Sequence, residues 1–339
     1  MQSSNNEKTI VTTGKGKIQG TMTDGVYRFL GVPYAEADEL FMPAEEVPAW
    51  EGILDASDYG PVSYQSSVSG STGSGAAEYS NDCQNLNIWT PGTDGEKRPV
   101  MVWLHGGGLA FGSANDAAYD GANLAGNQDV VVVGVNHRLG VYGFLDLSFA
   151  DEKYKNSDNL CILDIIDALQ WIRDNIEQFG GDPDNVTLFG QSGGGVKIIA
   201  LMSSPYAKGL FNRAIIESGA TDRQGVTFTD KEVSAALGKE ILKNLNISED
   251  DIEQLNDVSN ADLQNAADLA VHTIGEEYQI PQSIWASFAR TGVPEVPGAD
   301  TWEPYTRENG AVMILDEESY LAHHHDEKLL ELLAPDYVW

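Results

Sequence analysis

Ser192 lies in a glycine-rich segment whose residue types suit nucleophilic catalysis. The segment reads Gly190-Gln191-Ser192-Gly193-Gly194, a G-x-S-x-G pattern. It follows the apolar run Val186–Phe189 and precedes Val196–Met202, which has the composition of a helix. A serine on a sharp strand-to-helix turn needs glycines beside it, because side chains at those positions would clash. The pattern predicts a nucleophilic hydroxyl raised above a sheet, and a structural glycine-rich turn is the alternative.

A second glycine run directly follows another apolar run, Val100–Leu104. It reads His105-Gly106-Gly107-Gly108. Glycines allow backbone N–H groups to approach the negative oxygen that develops when a serine attacks a carbonyl group. Joined to the serine motif, this run predicts an oxyanion hole, whereas alone it would fit an ordinary loop at the end of a strand.

Short apolar runs rich in β-branched residues predict the sheet that positions these two segments. Runs that are apolar on both faces suit parallel strands covered by helices on each side. The four runs are Leu86–Trp89, Val100–Leu104, Val130–Val135 and Val186–Phe189. Apolar residues at helical spacing predict a helix over residues 160–178, which Gly180-Gly181 end. We therefore expect an α/β fold with a mostly parallel central sheet flanked by helices.

Further elements are predicted on both sides of this block. Short antiparallel strands are expected within residues 9–36, and Arg213–Glu217 supplies one more strand. Residues 225–270 are polar and helix-prone, with Ser248 and Asp251 spaced as in an N-terminal helix cap. A helix and a late strand are expected after this segment, at residues 281–291 and Val312–Leu315.

The charge and the cysteine count restrict the classes of function. Fifty-two acidic residues against 20 basic ones give a formal net charge of −32, which repels phosphate backbones and argues against nucleic-acid binding. No apolar window is long enough for a membrane span, and the polar N-terminus lacks the apolar stretch of a secretory signal. Two distant cysteines, Cys83 and Cys161, indicate free thiols. We predict a cytoplasmic protein, although a trimmed signal peptide would leave the same sequence.

Several segments carry a family resemblance, and they include both glycine motifs. In chain order they are Phe29–Ala35, Asn81–Trp89, Trp103–Gly108, Asn136–Gly140, Phe179–Pro183, Gly190–Gly194, Trp285–Gly292 and Trp302–Tyr305. With these segments the chain resembles a type B carboxylesterase of the cholinesterase and para-nitrobenzyl-esterase family. The resemblance implies a single α/β-hydrolase domain over residues 1–339 that hydrolyses small-molecule carboxylic esters without a cofactor or metal.

The resemblance also implies roles for individual residues of the two glycine motifs. Ser192 is the expected nucleophile, which would form an acyl-enzyme intermediate. The N–H groups of Gly107, Gly108 and Gly193 are the expected oxyanion donors. Gln191 stands where the family usually has glutamate, and glycine at position 193 replaces the usual alanine, but neither change removes a backbone donor.

Two further positions match the family outside these motifs. Ser218 matches a second serine that supports the site in relatives. Cys83 matches a family cysteine whose usual partner is replaced in this chain, by Ser63, and the replacement favours a reduced thiol.

The resemblance weakens between Gly219 and Trp285, where the family places the acid and the histidine base of its triad. This segment is much shorter here, so we expect that part of the usual C-terminal half is missing and that residues 225–280 form a shortened helical cap. His272 is the only histidine in the segment and is the candidate base, with a surface position on a helix as the alternative. No carboxylate can be assigned as the acid.

The remaining histidines are poorer candidates for the base. His105 and His137 are expected to be structural, and His323, His324 and His325 form a solvated polar run. Three hypotheses stand: a working esterase, a catalytically impaired relative that keeps the nucleophile, and a non-enzymatic binding protein. Apolar strips left uncovered by missing strands would favour a homo-oligomer.

Overall fold

The structure, a computed structural model, describes residues 9–65, 78–219, 230–277, 303, 311–314 and 320–323. The chain divides into two compact units, Met1–Val271 and His272–Trp339. A single domain over residues 1–339 stays a prediction. The helix predicted over residues 281–291 lies outside the described residues.

Within the described residues the strands are labelled in chain order. They are β1 Ile10–Thr12, β2 Lys17–Gln19, β3 Thr21–Thr23, β4 Val26–Pro33, β5 Ala35–Glu36, β6 Glu45–Glu46, β7 Ile53–Asp55, β8 Val62–Ser63, β9 Tyr79–Ser80, β10 Asn85–Thr90, β11 Arg98–Leu104, β12 Val131–Val135, β13 Gly181–Gln191, β14 Arg213–Glu217, β15 Ala311–Ile314 and β16 Tyr320–His323. The predicted strands in this part of the chain are therefore confirmed, with ends that differ by a few residues.

The α-helices of the described residues are labelled in the same way. They are α1 Ala122–Gln128, α2 Gly140–Phe144, α3 Leu160–Asn175, α4 Gly193–Ser203, α5 Lys231–Asn244 and α6 Asn260–Glu277. Short 3₁₀ helices lie at Ala117–Tyr119, Glu152–Tyr154, Ser157–Asn159, Ile176–Phe179, Pro205–Ala207 and Ile252–Asp257. No helix among the described residues combines the length and the apolar character that a membrane crossing requires.

The central sheet of the first unit has seven strands in the order β14-β13-β11-β12-β10-β4-β3. The first four strands are parallel neighbours, and the last three pairings are antiparallel. This mixed sheet with its covering helices confirms the predicted α/β-hydrolase fold class. The parallel direction expected for Leu86–Trp89 was wrong, because β10 runs antiparallel to both β12 and β4.

Helices cover both faces of the sheet. On one face α3 and α4 bury apolar side chains such as Leu169 and Ile198 against Val102 and Leu188. On the other face α1 packs Ala125 into a smaller cluster with Trp89 and Val132. The helix predicted over residues 160–178 is confirmed as α3 and the 3₁₀ turn after it. Gly180 ends that turn at φ 77°.

A helical layer forms a second apolar cluster in the first unit. Helices α2 and α5, the 3₁₀ helix at Ile252–Asp257 and the first half of α6 contribute most of its buried residues. The helical character predicted for this part of residues 225–280 is confirmed, while its role as a cap stays a prediction. The helix cap predicted at Ser248 was wrong, because the 3₁₀ helix begins only at Ile252 and has Asp251 before it.

The described strands of the second unit form a hairpin. Strands β15 and β16 pair antiparallel, with Ala311 opposite His323. The late strand predicted at Val312–Leu315 is confirmed as β15.

Candidate active site

The two glycine motifs meet because the strands that precede them are neighbours. Strands β11 and β13 are parallel, and Leu104 is paired with Gly190 at their ends. Carboxyl ends of adjacent parallel strands lie at one edge of a sheet, which is where ligands bind in α/β folds. The segment His105–Gly108 and Ser192 therefore emerge side by side. A side chain added at Gly106 would place its Cβ atom 3.5 Å from the Cβ atom of Ser192.

Ser192 has the strained backbone expected of a serine on a strand-to-helix turn. Its φ and ψ angles are 54° and −120°, a region that residues with side chains seldom adopt. The N–H group of Ser192 donates to the carbonyl of Glu217 at 2.8 Å, which ties the turn to the end of β14. Ser192 directly precedes α4, yet its side chain makes no capping hydrogen bond. The half-buried hydroxyl therefore remains free of partners in the described part of the chain.

The turn can be this tight only because glycine follows the serine. A Cβ atom at Gly194 would lie 2.0 Å from the carbonyl oxygen of Leu104, and a Cβ atom at Gly190 would lie 2.7 Å from the same oxygen. Both distances are far below any real contact, so the first turn of α4 rests directly on the end of β11. The steric reason given for the glycines of the motif is confirmed.

Backbone N–H groups gather beside the serine. A Cβ atom at Gly193 would lie 2.9 Å from the nitrogen of Gly108 and 3.1 Å from that of Leu109. The carbonyl of Gly107 accepts hydrogen bonds from the N–H groups of Ala110 and Phe111, at 3.0 and 3.2 Å. Across the described ranges, the amides of residues 107, 108 and 193 have no protein acceptor. These donors could stabilise an oxyanion, and that role stays a prediction.

The two supporting residues lie close to the turn. Gln191 is exposed, and its side-chain oxygen lies 3.3 Å from where a Cβ atom of Gly106 would be. Ser218 follows β14, is exposed and has a φ angle of 52°. Its hydroxyl has no hydrogen bond to the described residues, so its supporting role stays a prediction.

Two histidines are buried close to the glycine motifs, and neither ring hydrogen-bonds to the Ser192 hydroxyl. His105 and His137 follow the neighbouring strands β11 and β12, and their rings stack with centroids 4.9 Å apart and planes 2° apart. The Nδ1 atoms lie 2.8 Å from the carbonyl of Gly106 and 3.0 Å from that of Arg138, respectively. Burial lowers the pKa of both rings well below the usual value, and the nearby Lys197 adds to the shift. Both rings are therefore neutral at pH 7.

The candidate base lies in the second unit. His272 is that unit's first residue and lies on the exposed side of α6. His323 is an exposed residue of β16, whereas His324 and His325 lie outside the described residues. The assignment of His272 as the base stays a prediction, and the acid stays unassigned.

Sequence reasoning missed one charged residue close to the site. Lys197 on α4 has no exposed surface, and its Nζ atom donates to the carbonyl of His105 at 2.9 Å. Burial lowers the pKa of Lys197 to about 8. The signal in the sequence was a lone lysine in the otherwise apolar run Val196–Met202, which spacing alone would have placed on the outer face of a helix.

Sequence reasoning also missed a buried ion pair behind the site. Arg138 and Asp164 have no exposed side-chain surface, and an Nη2–Oδ1 distance of 2.6 Å joins them. The backbone N–H of Arg138 donates to the same carboxylate at 3.0 Å. The pair therefore fixes the segment that follows His137 at the end of β12.

Both cysteines are buried thiols. Cys83 lies within hydrogen-bonding reach of Ser63, the residue expected in place of its partner, and burial raises the pKa of Cys83 well above the usual value. Cys161 on α3 lies 3.4 Å from the Nδ1 atom of His137, and burial raises the pKa of Cys161 to about 12. The predicted free thiols are confirmed and are protonated at neutral pH.

Comparisons with known proteins agree with this geometry. The sequence profile of the Carboxylesterase family matches residues 7–280. The chain is 41% identical over 318 residues to the para-nitrobenzyl esterase of Bacillus subtilis (strain 168), covering 87% of this chain and 63% of that protein. It is 42% identical over 253 residues to the phenmedipham hydrolase of Pseudarthrobacter oxydans, covering 73% of this chain and 49% of that protein.

A solved structure is also similar. The chain superposes on a crystal structure of a Geobacillus stearothermophilus carboxylesterase with a TM-score of 0.71 at 40% identity, over 77% of this chain and 53% of that one. The chain spans 63% and 49% of the length of the two relatives above, so it is shorter than the proteins it matches.

Proposed function

Because the chain belongs to the carboxylesterase family, we propose that it is a serine carboxylesterase that hydrolyses small carboxylic esters through an acyl-enzyme intermediate. One observation carries the proposal. A serine hydroxyl without a partner among the described residues stands beside three unoccupied backbone N–H donors at the carboxyl ends of adjacent parallel strands. This arrangement suits attack on a carbonyl group and stabilisation of the oxygen that becomes negative.

The proposed reaction has two steps. The Ser192 oxygen forms a bond to the ester carbonyl carbon, and its proton passes to a histidine base. The N–H groups of Gly107, Gly108 and Gly193 hold the negative oxygen of the tetrahedral intermediate until the C–O bond to the alcohol breaks and the alcohol leaves with that proton. Water then attacks the acyl-enzyme with the help of the same base and releases the carboxylic acid.

We infer that the base is His272, because the histidines of the first unit are unsuitable. His105 and His137 are buried, and their pKa values lie well below those of a proton acceptor that works at pH 7. His272 lies in the segment where the family places its base and is exposed on α6. Replacing His272 with alanine should lower kcat to the level of a Ser192→Ala variant, and a fully active His272→Ala protein would remove the assignment.

Hydrolysis of a short-chain para-nitrophenyl ester tests the esterase proposal. Ser192→Ala should lower kcat/KM by at least about 10⁴-fold, because removing the nucleophile alone disables the whole catalytic unit. Ser203→Ala is the matched control, since its hydroxyl donates to the carbonyl of Ile199 at the far end of the same helix. Equal rates for the wild-type protein and Ser192→Ala would refute the proposal. A para-nitrobenzyl ester should also be cleaved, by analogy with the Bacillus subtilis relative.

A catalytically impaired relative that keeps the nucleophile is the alternative to this proposal, and the unpartnered Ser192 hydroxyl fits both. Covalent labelling with a fluorophosphonate, read by mass spectrometry, separates the two. Labelling of Ser192 with no ester turnover would identify a protein that keeps an activated serine without a complete triad. Labelling together with turnover supports the esterase. The absence of both labelling and turnover would indicate a non-enzymatic binding protein.

Self-association and a cytoplasmic location belong to the same proposal. Among the described strands β14 lies at the edge of the central sheet, and Ile215 and Ile216 on it are 45% and 39% exposed. An exposed apolar edge favours pairing with a second copy, and a monomer mass at high concentration by light scattering would refute this. The buried reduced thiols Cys83 and Cys161 fit a reducing compartment, which cell fractionation would test.

A further inference from the structure

Lys197 is buried in a way that its sequence position does not explain. Lysine is almost never fully buried unless a carboxylate pairs with it, yet Lys197 has no exposed surface and no ion pair within the described residues. Its Nζ atom donates one hydrogen bond, to the carbonyl oxygen of His105 at 2.9 Å. Burying an ammonium group at this position is costly, so a contribution to function would account for it.

The groups that face Lys197 are uncharged. Lys197 donates to the carbonyl of His105, the His105 ring stacks on that of His137, and Lys197 lowers the pKa of both rings. Cys161 of α3 also interacts electrostatically with Lys197, and the charges of the Arg138–Asp164 pair cancel each other. Both histidine rings have pKa values far below 7, and the pKa of Cys161 is raised to about 12. The ammonium group is therefore the one net charge among these groups.

The acceptor of this hydrogen bond belongs to the oxyanion loop, which we define as His105–Gly108. The His105 carbonyl is part of the peptide plane that leads into Gly106, so fixing that oxygen fixes the start of the loop. Gly107 and Gly108 follow at φ angles of 95° and 61°. Glycines at such angles have few barriers to rotation, so the loop needs an anchor outside itself to keep its N–H groups directed at one point.

We propose that Lys197 is a positioning residue that anchors the oxyanion loop to α4 through the His105 carbonyl and places a positive charge behind the amides that receive the oxyanion. This proposal rests on the proposed esterase function. The anchor acts on the intermediate and not on the bound ester, because the oxygen is fully negative only after Ser192 has attacked. Its loss should therefore lower kcat and leave KM nearly unchanged.

Lys197→Met tests the proposal, since methionine keeps an unbranched apolar stem and removes the donor and the charge. We expect kcat to fall about tenfold or more, short of the 10²–10³-fold loss typical when an oxyanion donor itself is removed. KM should stay within about twofold. Cys161→Ala is the matched control, because it opens the same buried region without touching His105. A purely structural role for Lys197 would make both variants lose kcat in proportion to their loss of thermal stability, and that result would overturn the proposal.

The pH dependence gives a second readout. Burial sets the pKa of Lys197 near 8, and none of the facing groups titrates close to that pH. Wild-type kcat should therefore fall as the pH rises through about 8, and Cys161→Ala should show the same fall. Lys197→Met should lack it. An identical alkaline limb in Lys197→Met would overturn the contribution of the charge.

Hydrogen exchange tests the anchor without any turnover. The N–H groups of Ala110 and Phe111 are held by the carbonyl of Gly107, so their exchange rates report on the order of the loop. We expect faster exchange at both amides in Lys197→Met and not in Cys161→Ala. If the wild-type protein neither cleaves esters nor reacts with a fluorophosphonate, the esterase proposal fails while this measurement still decides on the anchor. Unchanged exchange in Lys197→Met would refute the anchor.

Discussion

Replacing Asp164 with asparagine removes one charge from an ion pair that water cannot reach. Asp164 accepts three hydrogen bonds from Arg138, two from the guanidinium group and one from the backbone N–H. The carboxylate also accepts from the side chain of Gln84 at 3.2 Å. An asparagine of the same shape would direct an NH₂ group at some of these donors and leave the guanidinium group uncompensated.

The expected loss of stability follows from this burial. Removing one partner of a buried pair costs about 3–5 kcal/mol, because the remaining charge stays desolvated. One hydrogen bond from Arg138 to the carbonyl of Met42, at 2.6 Å, remains after the substitution but supplies no countercharge. For a unit of this size, about 2 °C of melting temperature corresponds to 1 kcal/mol. Asp164→Asn should therefore lower the melting temperature by about 6–10 °C.

Thermal unfolding followed by circular dichroism measures this effect, and guanidinium unfolding gives the free energy independently. The matched control is Glu177→Gln, which breaks a pair with Lys97 at 3.3 Å in which both side chains are more than half exposed. Exposed pairs contribute below about 1 kcal/mol, so the control should melt within about 2 °C of the wild-type protein. If the melting temperature of Asp164→Asn equals that of the control, the expected cost of the unpaired buried charge is refuted.

Three further predictions follow from single contacts. Gly107→Ala should lower kcat on the nitrophenyl ester by about 10²-fold or more, since its Cβ atom would lie 2.0 Å from the carbonyl oxygen of Phe111. Gly209 is the control, because it has a similar φ angle and open space around it, and Gly209→Ala should keep full activity. Burial, and then the nearby Asp164, raises the pKa of Asp167 to about 7, so the folded state binds more protons than the unfolded state. The free energy of unfolding should therefore fall as the pH rises from 4 to 7. Denaturant titrations should show this fall in the wild-type protein and not in Asp167→Asn. Burial lowers the pKa of Lys197 to about 8, so between pH 8 and 10.5 the unfolded state binds more protons than the folded state. Over this range the free energy of unfolding of the wild-type protein, measured against that of Lys197→Met, should rise by about 3 kcal/mol.

Local patterns were sufficient for the elements that carry the nucleophile. The run before Ser192 and the glycines after it describe one continuous strand, turn and helix, so each residue depends mainly on its neighbours in the chain. Strand direction is a different matter. Strand β10 is buried along its whole length on both faces, so it has the apolar composition of a parallel strand, and its antiparallel direction depends on distant partners.

Two serine patterns of the same form show where local reasoning ends. Ser248 and Asp251 are spaced in the same way as Ser259 and Asp262, but only the second pair forms a reciprocal cap. The Ser259 hydroxyl accepts from the N–H of Asp262 at 3.1 Å and donates to that carboxylate at 2.6 Å. Because the spacing is the same in both pairs, spacing alone does not decide which of them forms a cap.

The burial of Lys197 and the identity of the base could not be predicted from local sequence for a related reason. A lysine in a helix is exposed unless tertiary contacts enclose it, and its acceptor lies 92 positions earlier in the chain. The assignment of His272 as the base stays a prediction, since no spacing rule links that residue to Ser192.

The pairing of Leu104 with Gly190 joins two segments separated by more than eighty residues. Bringing such distant segments together is entropically unfavourable and slow compared with forming local helices. During refolding, α3 can therefore form well before the serine and the oxyanion loop meet. Reactivity toward a fluorophosphonate should return later than the helical signal in circular dichroism. The time at which this reactivity returns would therefore report when strands β11 and β13 have paired.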